Sequence, residues 1–134
     1  YDYCGQPWKT QRKIHEILNL WFTNSPLGYC GDEDGGAMSS FLVFSAMGFY
    51  PVCPGGDRYD LGSPLFDQIE LDLPNGKTFT IRAEGASGRK KYIAQALLNG
   101  VPLPHPYFTH AQLLEGGELT LTMSERPNTT LWKE

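Results

Sequence analysis

Gly31-Asp32-Glu33-Asp34-Gly35-Gly36 runs directly into Ala37-Met38-Ser39-Ser40-Phe41-Leu42-Val43-Phe44-Ser45-Ala46-Met47-Gly48, and this stretch decides how the chain is read. Residues 36–47 are predicted to form a helix that is apolar or small nearly all round, the pattern of a helix enclosed by a large core. A chain of 134 residues has difficulty supplying that much enclosure, so the helix requires neighbours that the rest of the sequence does not provide. In front of it, three acids held between glycines repel one another at a cost in folding energy, and the loop therefore reads first as a site and only second as a surface turn.

Upstream, Pro7 suits the first turn of a helix, and Ile14, Ile17, Leu18 and Trp21 recur at steps of three and four. The spacing predicts a helix over 7–23 that buries this stripe and leaves Lys9, Arg12, Lys13, His15, Glu16 and Asn19 outside, until Asn24-Ser25-Pro26-Leu27-Gly28 stops it. Downstream of Gly48 the texture changes. Pro51, Pro54, Gly55, Gly56, Gly62 and Pro64 mark an irregular connection, after which the apolar period becomes two. Ile69, Leu71 and Leu73 alternate, Asn75-Gly76 turns the chain, and Phe79 and Ile81 alternate on the return, a β-hairpin. A second hairpin is predicted to turn at Asn99-Gly100, between Tyr92–Leu98 and Val101–Leu103. Thr109 with Gln112 forms a capping box for a short helical turn over 110–115, and Leu119, Leu121 and Met123 make a last strand. The fold class is α+β: two helices, then an antiparallel β layer.

Eleven basic against fifteen acidic residues give a net charge of −4 without long blocks of either sign, which disfavours nucleic acid and anionic membranes as partners. No stretch approaches the roughly eighteen apolar residues of a membrane span; the longest candidate, 41–52, is interrupted by Gly48 and Pro51. The chain begins at Tyr1 with neither an initiating Met nor a leader, and is expected to be a piece of a longer protein. Cys4, Cys30 and Cys53 fit neither a zinc spacing nor a C-x-x-C pair and read as small buried or half-buried thiols. His15, His105 and His110 form no metal constellation, and Asn128-Thr129-Thr130 matches a glycosylation acceptor, a triplet common by chance.

Were residues 31–34 extended, Asp32 and Asp34 would project to one side and Glu33 to the other. Asp34 stands next to the helix start, where free N–H groups and the helix dipole favour an ionised carboxylate, the state a general base needs. The alternative is a plain helix N-cap with solvated neighbours. A calcium loop is a third reading, although the spacing of an EF-hand is absent. Tyr3, Gln6 and Trp8 could stack on or hydrogen-bond a sugar ring, and could equally be core or staple residues.

Tyr3-Cys4-Gly5-Gln6-Pro7-Trp8-Lys9-Thr10-Gln11, Gly28-Tyr29-Cys30-Gly31-Asp32-Glu33-Asp34, Met38-Ser39-Ser40 and Phe44-Ser45-Ala46-Met47-Gly48-Phe49-Tyr50-Pro51-Val52-Cys53-Pro54-Gly55 together resemble the C-terminal part of the family 92 glycoside hydrolases, bacterial calcium-dependent exo-α-mannosidases. Gly62-Ser63-Pro64-Leu65-Phe66, Asn75-Gly76-Lys77-Thr78-Phe79 and Leu98-Asn99-Gly100 are similar to the closing β region of that family. The resemblance implies that residues 1–63 are the last helices and acidic loop of an (α/α) helical-hairpin barrel, and that residues 64–134 are the sandwich-like antiparallel β region. It implies an inverting mechanism with Asp34 as the general base and Asp32 as its partner in orienting water, while the general acid and most calcium ligands lie outside the chain. Many relatives carry Asn where Asp32 stands, which makes Asp34 the firmer assignment of the two.

The implied function is that of the base-bearing part of a secreted, periplasmic or cell-surface α-mannosidase acting on terminal, α-1,2-type linkages of mannose-containing glycans. Calcium would belong to the full-length enzyme, the piece alone would be inactive, and its partners would be the rest of the polypeptide or a second copy. The rival reading is a non-catalytic carbohydrate-binding or structural β module.

Overall fold

The structure, a computed structural model, describes residues 1–133. A 3₁₀ turn over Asp2–Cys4 leads into α1 (Pro7–Trp21), whose first residue is the proline that needs no backbone N–H at that position. Residues 22–36 connect it to α2 (Ala37–Met47). The helices thus end at Trp21 rather than Thr23 and begin at Ala37 rather than Gly36. Gly48 closes α2 with φ +93°, its N–H donating to the carbonyls of Phe44 and Ser45. No other residue fits there, because an added Cβ would lie 2.7 Å from Pro64.

After α2 come β1 (Phe49–Tyr50), β2 (Arg58–Leu61), β3 (Gln68–Asp72), β4 (Thr78–Arg82), β5 (Tyr92–Leu98), β6 (Val101–Pro102), β7 (Tyr107–Thr109), α3 (His110–Leu114) and β8 (Gly117–Ser124). Two sheets result, one ordered β1-β2-β7 and the other β3-β4-β8-β5-β6. Both predicted hairpins form. Asn99 and Gly100 take φ +51° and +79° between the paired Leu98 and Val101, the left-handed pair a two-residue hairpin turn requires. The capping box also forms, with the Gln112 N–H donating to Thr109 Oγ1 and the Thr109 N–H donating to Gln112 Oε1. Strands β1, β2 and β7 were not expected, since two to four residues among prolines and glycines offer no alternation to count. Within the larger sheet β4 and β8 run parallel, joined by the whole excursion through β5, β6, β7 and α3.

The inward residues of the two sheets share one core. Phe79 and Ile81 of β4 with the adjoining Ala83, Ile93, Ala96 and Leu98 of β5, and Leu119, Leu121 and Met123 of β8 meet Phe49, Leu61 and Phe108 of the small sheet. The Phe108 ring lies 5.5 Å from that of Phe79 and 5.2 Å from that of Phe49, so it bridges the sheets. The small sheet also joins residues either side of residue 63, through the β2–β7 pairing.

The buried face of α1 differs from the predicted one. Pro7, Gln11, His15 and Leu18 are buried, whereas Trp21 is 59% exposed and Ile14 and Ile17 are only half-buried. This face meets a strand edge, and backbone groups at an edge need hydrogen-bond partners more than they need apolar cover. Gln11 Oε1 accepts from the Ile93 N–H at 3.1 Å, where the β5–β8 register shifts around Ala94. Asn128 Nδ2 donates to the Ala94 carbonyl at 3.0 Å and so secures the other side of the same irregularity. His15, expected on the polar outer face, is instead buried with its Nε2 2.9 Å from Ser63 Oγ. The three cysteines, expected to be buried or half-buried, are all exposed and free. Among the described residues no helix is long and apolar enough to cross a membrane.

Candidate active site

The acidic loop turns from Asp34 onward. Asp34, Gly35 and Gly36 take φ +57°, +68° and +96° in succession, a left-handed run that turns the chain into α2. Two of these positions are glycine because of φ and not for lack of room, since an added Cβ on Gly35 or Gly36 would meet nothing within 4 Å. Asp34 is the non-glycine among them, in a region that Asp tolerates better than most residues.

This conformation changes which acid serves the helix. Glu33 Oε1 accepts from the Ser39 N–H at 3.1 Å and the Glu33 carbonyl accepts from the Met38 N–H at 3.2 Å, so Glu33 occupies the mouth of α2. Gly36, the residue in the capping position, has no side chain to contribute. Sequence reasoning placed Asp34 in this role. The signal it passed over is the Gly35-Gly36 pair, which inserts a turn and lets a longer side chain reach back. Asp32 and Asp34 are both exposed, and the ion pairs among the described residues, formed by Arg12, Lys13, Arg58 and Arg82, do not involve them.

Aromatic contacts hold the rest of the loop. Phe22 packs on Tyr29 at 5.7 Å and on Phe41 at 6.1 Å, and Tyr29 Oη lies 3.0 Å from Ser39 Oγ. A hollow of about 480 Å³ lined by Phe22, Tyr29, Gly31 and Leu42 opens beside it, within the size range of small-molecule sites.

Tyr3, Gln6 and Trp8 lie at the N-terminal end of α1, a helix of 15 residues and so about 22 Å long, whereas the 22–36 connection leaves its other end. They do not meet Asp32 or Asp34. Tyr3 Oη donates to Asp60 Oδ2 at 2.8 Å, and the Arg58 guanidinium sits between the Tyr3 and Tyr107 rings at 4.8 and 4.6 Å. These groups line a separate cavity of about 360 Å³. Burial pushes the nearby Asp2 carboxyl up to about 6. Trp8 is half-buried with Lys9 and Arg12 over its ring at 5.2 and 5.8 Å, and Gln6 precedes α1 without capping it. Arg58 and Asp60 escaped notice because β2 lies in the stretch read as irregular.

His105 stacks on Tyr107, and His110 Nδ1 lies 3.0 Å from Tyr59 Oη. Asn128, the glycosylation triplet residue, uses both ends of its side chain internally, its Oδ1 accepting from the Thr130 and Leu131 N–H groups. Among the described residues no group of three or more His, Cys, Asp or Glu side chains could hold a metal ion.

The chain is similar to known glycosidases over its whole length. The chain is 48% identical over its full length to an inverting mannosidase of family 92 from Bacteroides thetaiotaomicron, with a TM-score of 0.93, and spans 18% of that chain. It is 32% identical, again over its full length and 18% of the other chain, to a family 92 α-mannosidase from the same organism, with a TM-score of 0.94 for the complex with mannoimidazole. A curated relative, described as an uncharacterized secreted glycosidase of Arthroderma benhamiae, is 34% identical over 128 residues, 93% of this chain and 16% of the relative. The chain thus spans less than a fifth of the length of these relatives. The sequence model of the glycosyl hydrolase family 92 catalytic domain matches residues 1–125, and the chain belongs to that family.

Proposed function

We propose that this chain carries the general-base side of an inverting exo-α-mannosidase active site, with Asp34 as the base and Asp32 assisting in orienting the water. Water attacks the anomeric carbon of a terminal α-mannosyl unit, Asp34 accepts its proton, and an acid elsewhere in the enzyme protonates the departing oxygen. The product is β-mannose. An inverting pair of this kind stands roughly 6.5–9.5 Å apart, leaving room for the water.

The observation that supports Asp34 is its freedom. Glu33 meets the backbone of α2, Asp34 is exposed, and its φ of +57° is a conformation most residues avoid. A plain N-cap would use the side chain that Asp34 leaves unengaged. Similarity to mannosidases of known structure, one of them bound to mannoimidazole, supports the substrate class. An α-1,2 linkage preference and an extracellular location belong to the same reading, the latter because the curated relative is described as secreted. Calcium would be held by oxygens outside the acidic loop, and no step above runs through it. Tyr3, Gln6 and Trp8, at the far end of α1, take no part in the step.

In the full-length enzyme, Asp34→Asn is expected to lower kcat for release of mannose from an α-1,2-linked mannobiose by roughly 10²- to 10⁴-fold. Its melting temperature should match the unsubstituted enzyme, since the carboxylate is exposed and free of ion pairs. Near-normal mannose release by this variant would overturn the assignment, and α-mannose as the first product seen by proton NMR would overturn inversion.

A further inference from the structure

Glu33 has an arrangement that helix capping alone does not explain. One carboxylate oxygen accepts from the Ser39 N–H at 3.1 Å, reaching over six residues, while the other is buried with no partner. An N-cap formed by a short Asp or Ser directly before the helix would satisfy the same N–H without burying an orphan oxygen. Instead the chain spends three consecutive left-handed residues between Glu33 and α2, the first of them Asp34. Glu33 and the helix therefore form a closed bracket around Asp34. Its near side is the Glu33 carbonyl bonded to the Met38 N–H, and its far side is the Asp34 carbonyl, 3.4 Å from the Ala37 N–H.

We infer that Glu33 is a positioning residue for the Asp34 carboxylate, acting through its side-chain hydrogen bond to α2 and not through its charge. This rests on the reading of Asp34 as the general base. The physical reason is that an exposed Asp at φ +57° with glycine on its C-terminal side has many alternative backbone states. Cutting the tether from Glu33 to Ser39 would let the loop sample them, and the carboxylate would spend only a fraction of its time where the attacking water sits. A displacement of about 1 Å at a reacting group is enough to cost on the order of 10²-fold in rate. Tyr29 strengthens the same bracket from the other side, its Oη 3.0 Å from the hydroxyl of Ser39, the residue whose N–H meets Glu33. The tether thus ties both arms of the 22–36 connection to one turn of α2.

Three substitutions separate geometry from charge in the full-length enzyme. Glu33→Gln keeps an oxygen at the same reach, able to accept from the Ser39 N–H. Glu33→Asp keeps the charge and loses the reach, and Glu33→Ala loses both. With an α-1,2-linked mannobiose as substrate, Glu33→Gln is expected to keep kcat within about threefold, whereas Glu33→Asp and Glu33→Ala lose roughly ten- to a hundredfold with KM nearly unchanged. Assays are run well below each variant's melting temperature, so a merely structural loss would not reproduce this pattern. A low kcat for Glu33→Gln together with a normal one for Glu33→Asp would overturn the inference in favour of an electrostatic role. Normal kcat in all three, beside an inactive Asp34→Asn, would overturn the inference and leave the base assignment standing. An active Asp34→Asn would remove both. If Glu33→Ala does not fold, the contrast between Gln and Asp still decides.

Discussion

The sheets and the helices of this chain distribute polarity in opposite ways. In β4 and β8 the buried positions are Phe79, Ile81, Leu119, Leu121 and Met123, while Thr78, Arg82 and Thr122 are exposed. In α1 two of the four buried residues are Gln11 and His15, and α2, nearly all apolar, buries only Ser45 and leaves Val43 56% exposed. The sheets supply most of the core, with Phe44 and Met47 of α2 packed against it, whereas α1 turns Gln11 to a strand edge and His15 to Ser63, and α2 leaves Val43 outward. Leu20 and Trp21 at the end of α1 are exposed as well, at 72% and 59%. The exposure of Val43 matches the sequence-level observation that α2 is too apolar for the company it has here. The candidate base lies in the loop joining the two helices, and the sheets provide the backing on which such a loop can be held.

The comparison can be broken at three places. The largest effect is expected at Phe108, which is fully buried between the sheets. Phe108→Ala should cost about 3–5 kcal/mol and strip hydrogen-exchange protection from the Leu119 and Leu121 amides together. Loss confined to the small sheet would show that the two sheets do not share one core.

An intermediate effect belongs to the helix–strand junction. Gln11→Leu conserves volume but leaves the Ile93 N–H buried without its acceptor, a loss of about 1–3 kcal/mol. It should appear as faster exchange of the Ile93 amide than of Leu121. Unchanged exchange would mean that α1 lies against β5 without holding it.

The smallest effect is a pH dependence. Burial, with Lys91 adding to it, holds the His15 ring below its usual 6.5. The folded state then binds this proton less readily than the unfolded chain, so the unfolded state gains protons first as pH falls. Stability contributed by neutral His15 is therefore complete above about 6.5 and declines as pH drops below that value. Melting temperatures measured at pH 7.5 and pH 5.5 should show the decline, and His15→Gln should reduce it. An unchanged slope in that variant would assign the pH dependence to other groups.

Much of the β region was legible because its determinants are local. Alternation fixed the Ile69–Ile81 hairpin, Asn99-Gly100 could supply two left-handed residues in a row, and Thr109 with Gln112 wrote a capping box into four residues. The helices were legible as helices for the same reason. Less accessible were the inward face of α1 and the conformation of the acidic loop. Counting apolar residues at helical spacing selects Ile14, Ile17 and Trp21, whereas the partners of this face are polar, the Ile93 N–H for Gln11 and the Ser63 hydroxyl for His15. The sequence also puts Asp34 next to the helix start. Three left-handed residues instead gave that place to Glu33.

The sequence by itself determined the order of helices and hairpins, the family, and the presence of an acidic loop between glycines. Each depends on residue types within a few positions of one another or on linked motifs in a fixed order. Only the tertiary structure decided that β4 and β8 lie parallel, that β2 finds β7 across the chain, and that Glu33 rather than Asp34 serves the start of α2. Those outcomes depend on which distant backbone groups are left needing a partner once the chain has closed, and no local pattern encodes that.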